Sequence, residues 1–181
     1  QLSTVSESLG AKFGGRVGTL AWNDFRHMEL YYAVSGSGMV CHTINPRLFP
    51  EQVAYIINHA EDKILFVDVL VMPLLEALQA HLSKVETIVI LTDKAHMPES
   101  TLPNVLCYEE ILEAQSDNYD WPEFDENTAS GMCYTSGTTG NPKGVVYSHR
   151  STVIHALSGS LPDVTGASIM ETSLPVVPMF H

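Results

Sequence analysis

The chain has 181 residues, nine basic and 21 acidic side chains, and a formal charge of −12. That length fits one domain or a generous piece of a larger protein. With 45% hydrophobic and 17% charged residues a packed core is expected and disorder is not. The acidity speaks against a nucleic-acid partner, whose phosphates call for lysine and arginine clusters.

In chain order, the first strand is predicted over residues 16–22 ("RVGTLAW"). Asn23 then offers an N-cap to a helix through "DFRHMELYYAV", where Phe25, Met28 and Tyr32 recur at helical spacing. "MVCHTIN" (39–45) reads as a strand ended by Pro46. Pro50 suits the first turn of a helix through "EQVAYIINHAED", with Val53, Ile56, Ile57 and Ala60 on one face. "KILFVD" is a short apolar strand, 73–82 a helix, and "ETIVILTD" the next strand. Continuous apolar strands, rather than alternating ones, imply a sheet covered on both faces. Strands interleaved with helices imply parallel βαβ crossovers, so the expected fold is a layered α/β sandwich with a largely parallel sheet. Over 96–127 the pattern loosens around Pro98, Pro103 and Pro122, with one short helix near 108–114. Eight acidic residues and no Lys or Arg fall in 109–126, and we read 96–127 as a solvated connecting segment within the fold. "TASGMCY" (128–134) and "GVVYSH" (144–149) read as strands, and Ser148 or Ser151 could cap a helix through "TVIHALSGS".

Cys41, Cys107 and Cys133 are odd in number and far apart, without C-x-x-C or Cys/His ligand spacing. Neither a disulfide framework nor a structural zinc site is expected, and no residue is assigned as a metal ligand. Each cysteine reads as a small buried hydrophobe in a reducing, cytoplasmic compartment. No apolar run is long enough for a transmembrane helix, and "QLSTVSESLG" has no basic-then-apolar signal pattern. The missing initial Met and the unpaired apolar segment "SLPVVPMFH" at the other end lead us to expect a piece of a longer protein.

Between the last two strands lies "CYTSGTTGNPKGVVYSHRS". Phosphate oxygens need many donors close together. Gly137 and Gly140 let backbone N–H groups turn inward, Thr135, Ser136, Thr138 and Thr139 add hydroxyls, and Lys143 adds a point charge behind the rigid Pro142. The spacing is not that of a P-loop: Gly137 is followed by Gly140 and Lys143, Pro precedes the lysine, and a strand rather than a helix follows. Composition alone is equally compatible with a Ser/Thr/Gly hairpin loop carrying an incidental lysine.

The full string is more specific. "YTSGTTGNPKGVVYSHR" resembles, without a gap from Thr135 to Gly144, the phosphate-binding signature of the AMP-forming adenylating enzymes, the superfamily of acyl-CoA synthetases, luciferases and peptide-synthetase adenylation domains. "TLAWNDFRHMELYYAV", "HTINPRLFPEQVAYIINHAEDKILFVD" and "VVPMFH" are similar to segments of medium- and long-chain fatty-acid–CoA ligases, in the same order. The resemblance implies that residues 1–181 are the front part of the large N-terminal AMP-binding domain. It implies ATP-driven conversion of a fatty or other apolar carboxylic acid to acyl-adenylate plus pyrophosphate, followed by thioester formation with coenzyme A. Thr135, Ser136, Gly137, Thr138, Thr139 and Gly140 would hold the β/γ-phosphates, Lys143 would neutralise the leaving pyrophosphate, and Mg²⁺ would ride on the phosphates with its protein ligand outside these residues.

His181 alone would read as a packed histidine, and the resemblance moves it to the acyl and adenylate pocket. His149 reads either as a residue behind the site or as a helix start. Arg47 reads as an anchoring surface charge, and the other histidines lack ligand-like pairing. Because the family's later motifs are not among these residues, the 181 residues alone are expected to be inactive. Two alternatives stay open: an adenylating enzyme with a carrier-protein or luciferase-like second step, and a non-catalytic nucleotide-binding module.

Overall fold

In the computed structural model, which describes residues 1–135 and 140–181, seven strands form one sheet with helices on both faces. The elements are α1 (Leu2–Ser8), β1 (Arg16–Leu20), α2 (Phe25–Gly36), β2 (Val40–Thr43), α3 (Pro50–Ala60), β3 (Ile64–Val67), α4 (Met72–Leu78), β4 (Thr87–Ile90), β5 (Val105–Cys107), α5 (Tyr108–Glu113), β6 (Ala129–Thr135), β7 (Lys143–Ser148) and α6 (His149–Gly159). The strand order is β5-β4-β3-β1-β2-β6-β7. Every neighbouring pair is parallel except β6 and β7, which run antiparallel. The expected α/β sandwich with a largely parallel sheet is what forms.

The apolar strands divide their side chains between two cores. Leu65 and Val67 of β3 join Leu20, Ile88 and Ile90 beneath α3 and α4. Ile64 and Phe66 of the same strand join Val17, Cys41 and Val89 beneath α1, α2 and α5. This is the period-two alternation of a strand buried on both faces, and each Leu, Ile or Phe so buried contributes about 1.5–3 kcal/mol by leaving water. The crossover through α2 steps from β1 to β2, and the crossover through α3 steps back past β1 to β3. Two crossovers of one hand running in opposite directions place their helices on opposite faces.

Helix α3 forms as the sequence indicates. Pro50 stands in its first turn, Gln52 reaches back to accept from the Phe49 N–H at 3.3 Å, and Val53, Ile56, Ile57 and Ala60 are buried. Helix α2 departs from expectation in two ways. Its N-cap is Asp24, whose carboxylate accepts from the Arg26 N–H, while Asn23 is used elsewhere. Its inward face is His27, Leu30, Ala33 and Val34, leaving Phe25, Met28 and Tyr32 exposed. The buried His27 is tolerated because Nε2 lies 3.0 Å from the Thr19 hydroxyl and Nδ1 lies 3.0 Å from the Trp22 carbonyl. Burial holds its pKa below the ordinary imidazole value.

Within 96–127 the helix appears as α5, and three residues before it form β5, which extends the sheet by an edge strand. Cys41 and Cys107 are buried as expected, whereas Cys133 is only half-buried. It stands on β6, near the sparsely covered end of the sheet. Burial pushes the Cys41 thiol up to about 12, which keeps it an inert core group. At the same end, Val146 and Tyr147 of β7 and Val153, Ile154 and Leu157 of α6 are exposed. Ser148 is the cap of α6, its hydroxyl accepting from the Ser151 N–H at 3.1 Å. No described helix is long and apolar enough to cross a membrane.

Candidate functional site

Because β1, β2 and β6 are parallel, their carboxyl ends share one edge of the sheet, the edge where open α/β sheets bind ligands. The segment after β6 is the hydroxyl- and glycine-rich stretch singled out above. Its strands are β6 and β7, paired Tyr134 with Gly144 and Thr135 with Lys143, so the stretch does join two strands. Ser136, Gly137, Thr138 and Thr139 lie outside the described residues. Thr135 ends β6, exposed, and its hydroxyl points at the Lys143 carbonyl at 3.5 Å, the outer limit of a hydrogen bond. Gly140 has φ +110°, with no atom within 4 Å of where a Cβ would stand. There the backbone conformation, not space, requires glycine. Pro142 is buried and anchors the returning arm, and Lys143 opens β7 with its side chain exposed.

His181 reaches the same edge by another route. Asn23 clamps the segment before it: its amide donates to the Pro175 and Val177 carbonyls, both at 3.0 Å, and its carbonyl accepts from the Met179 N–H at 2.6 Å. The Tyr31 hydroxyl donates to the Met179 carbonyl, and the Thr43 hydroxyl donates to the Phe180 carbonyl at 3.2 Å. Phe180 is buried edge-on against Trp22, centroids 5.7 Å apart, and the Arg47 guanidinium lies 4.9 Å from the Trp22 ring and 5.9 Å from the Phe180 ring. His181 itself is exposed, its ring tilted against Phe180 at 5.3 Å. Thr43 is aligned with Cys133, so Thr135 stands two residues, about 7 Å, further along the neighbouring strand. The structure thus brings Thr135, Gly140, Lys143 and His181 to one end of the sheet.

Asn23, Trp22, Arg47 and Tyr31 were not foreseen as parts of this arrangement. Asn23 is separated from its partners by more than 150 residues, so no local pattern marks it. Removing its side chain in Asn23→Ala takes three hydrogen bonds from residues 175–179. We expect the Met179 amide to exchange hydrogen about fivefold faster, at roughly 1 kcal/mol for the bond it loses. Unchanged exchange would show that the clamp does not hold the segment.

Behind the β6–β7 pair lies a buried polar group. His42 and Asp62 are both fully buried and joined Nδ1 to Oδ2 at 2.7 Å, while His42 Nε2 and Asp62 Oδ1 have no partner among the described residues. Burial pushes the Asp62 carboxyl up, partly offset by His42. The Tyr134 ring packs on His42 at 5.3 Å, and its hydroxyl meets His59 Nδ1 at 2.6 Å. His149 begins α6 and packs on Phe124 at 4.9 Å, and burial lowers its pKa. Among the described residues no group of three or more His, Cys, Asp and Glu side chains could hold a metal ion.

Comparison with known proteins adds to this geometry. The family described as "AMP-binding enzyme" matches residues 2–181. A 3-methylmercaptopropionyl-CoA ligase of Ruegeria lacuscaerulensis is 51% identical over 181 residues, which are 100% of this chain and 34% of that protein. A medium-chain-fatty-acid–CoA ligase of Ectopseudomonas oleovorans is 50% identical over 181 residues, 100% of this chain and 33% of that protein. The chain therefore spans about a third of the length of these curated relatives. The crystal structure of a long-chain-fatty-acid-CoA ligase from Archaeoglobus fulgidus has the same fold, with a TM-score of 0.83 at 24% identity, over 99% of this chain and 34% of that one.

Proposed function

Since the chain belongs to the AMP-binding enzyme family, we propose that the protein activates an apolar carboxylic acid with ATP and passes the acyl group to coenzyme A. One observation carries the reading: Thr135 and Lys143, which flank the heart of the gapless hydroxyl–glycine–lysine sequence, stand at the carboxyl edge of a largely parallel sheet, beside the clamped segment that ends in His181. On this reading residues 1–181 are the front part of an N-terminal AMP-binding domain. The relatives named for 3-methylmercaptopropionyl-CoA and for medium-chain fatty acids support an apolar acid as substrate.

In the first step the acid's carboxylate attacks the α-phosphorus of ATP, the bond to the β-phosphate breaks, and pyrophosphate leaves with the electron pair. Negative charge then grows on the leaving group, so catalysis rests on positioned donors and cations. Lys143 takes that charge as a mobile ammonium on an anchored backbone, and the Thr135 hydroxyl and the turn through Gly140 supply neighbouring donors. His181 packs beside the carboxylate of the bound acid. The thiol of coenzyme A next attacks the activated carbonyl, and AMP leaves. Mg²⁺ enters with ATP as part of the substrate. The described residues offer it no ligand cluster. Three free cysteines support a reducing, cytoplasmic setting.

The test uses the full-length protein with ATP, coenzyme A and a series of acids: 3-(methylthio)propionate and short-, medium- and long-chain fatty acids. AMP, pyrophosphate and a CoA thioester are the expected products, with medium-chain acids among the substrates. Release of ADP, or acyl transfer to a carrier-protein thiol but never to coenzyme A, would rule the reading out. Absence of pyrophosphate exchange with every acid would point to a non-catalytic nucleotide-binding module.

A further inference from the structure

Lys143 is the first residue of strand β7. Its side chain has four rotatable bonds, so the protein can aim it only by fixing where its backbone lies. Among the described residues β7 pairs with β6. Besides that pairing, one side chain presses on its start.

Tyr134 stands opposite Gly144, the residue after Lys143. Its ring lies against that glycine: a Cβ at position 144 would come 3.2 Å from Cζ, 3.3 Å from Cε2 and 3.4 Å from the hydroxyl oxygen. Such contacts are tighter than ordinary van der Waals distance, so the glycine is there to let the ring close on the backbone. From this contact the ring is tied to parts of the fold that do not move easily. Its hydroxyl meets His59 Nδ1 at 2.6 Å, and His59 stacks on Tyr55 one turn earlier in α3, at 5.3 Å and 26°. Its face packs on His42, which the fully buried Asp62 holds at 2.7 Å. Burial and the Asp62 charge push the phenol up from its ordinary value, so it keeps its proton near neutral pH and can donate to His59.

We propose that Tyr134 is a positioning residue for adenylation: wedged between α3, the His42–Asp62 pair and the Gly144 backbone, it sets where Lys143 starts and so where its ammonium meets the phosphates of ATP. The proposal rests on the role given to Lys143 in the preceding subsection. Tyr134 touches neither ATP nor the acid in this scheme; it acts through the backbone between Gly144 and Lys143. Small displacements suffice, since misplacing a catalytic group by about 1 Å costs on the order of a hundredfold.

The test is ATP–pyrophosphate exchange by the full-length protein with octanoate, comparing Tyr134→Ala, Tyr134→Phe, Gly144→Ala, the Tyr134→Ala/Gly144→Ala double variant and Lys143→Ala. In Tyr134→Ala and in Gly144→Ala, kcat/KM for ATP should fall about tenfold to a hundredfold with KM for octanoate unchanged. Tyr134→Phe, which keeps the ring on Gly144, should recover most of the loss. The double variant should lose no more than the worse single one, because removing the ring removes the clash with the new methyl group, whereas independent sites would multiply their losses. The proposal is overturned if Tyr134→Ala stays within about twofold of wild type while Lys143→Ala is crippled, or if KM for octanoate rises in step with KM for ATP. Wild-type exchange by Lys143→Ala would remove the parent reading, and this proposal with it.

Discussion

Lys143→Ala in the full-length protein is expected to slow acyl-adenylate formation by about a hundredfold to a thousandfold, the usual cost of deleting one preorganised group that stabilises developing transition-state charge. The lysine is exposed at the head of β7, and no described carboxylate forms an ion pair with it. Its charge is thus held by the backbone pairing of Thr135 with Lys143 rather than by a neighbouring acid, and a phosphate arriving at this edge meets it uncompensated. The measurement is pyrophosphate exchange at saturating acid, with the second step followed separately from preformed acyl-adenylate and coenzyme A. The first step should carry the loss, because pyrophosphate leaves only there. Lys143→Arg should recover part of the rate, since a planar fork keeps the charge but cannot follow a departing group as a compact ammonium does. Adenylation within a few-fold of wild type in the alanine variant would take Lys143 out of the mechanism.

The parts of the fold legible in the sequence are those decided locally. The runs "KILFVD" and "ETIVILTD" show strands buried on both faces because their middle positions, 64–67 and 88–91, are all apolar, and β3 and β4 do feed both cores. The misreading of α2 has a physical cause. Phe25, Met28 and Tyr32 fit the helical period as well as Leu30, Ala33 and Val34 do, and the true face contains a histidine, so hydrophobicity alone favours the wrong side. Only the polar partners of His27 on β1 and at Trp22 make that face buriable. Strand β5, three residues long between prolines and an acidic run, is too short to declare itself. At the candidate site the same division holds. Thr135, Gly140 and Lys143 were legible as candidates because they fall in one stretch whose whole string resembles a family signature. The contacts that support them were not, because Tyr134 finds His59 across 75 residues and the Asn23 clamp spans more than 150.

The buried His42–Asp62 pair beneath that stretch yields a second large effect, this one on stability. Asp62→Ala strips the only described hydrogen-bond partner from a histidine with no solvent exposure, and leaving such a group unpaired should cost about 3 kcal/mol in denaturant unfolding of the full-length protein. Asp62→Asn keeps a polar partner of the same size and should cost less. The pH dependence separates charge from packing. Burial is the largest influence on Asp62 and pushes its carboxyl above the ordinary 3.8, so the folded state binds this proton more tightly than the unfolded state does. Stability from this group is fully present below 3.8 and is lost as pH rises through the raised folded value, the reverse of a carboxylate stabilised by an ion pair. The advantage of wild type over Asp62→Asn, measured between about pH 4 and pH 8, should therefore shrink as pH increases. A constant difference would mean that the carboxyl does not titrate differently on folding. A growing one would mean that attraction to His42 outweighs burial, and that the group supporting Tyr134 is a true ion pair.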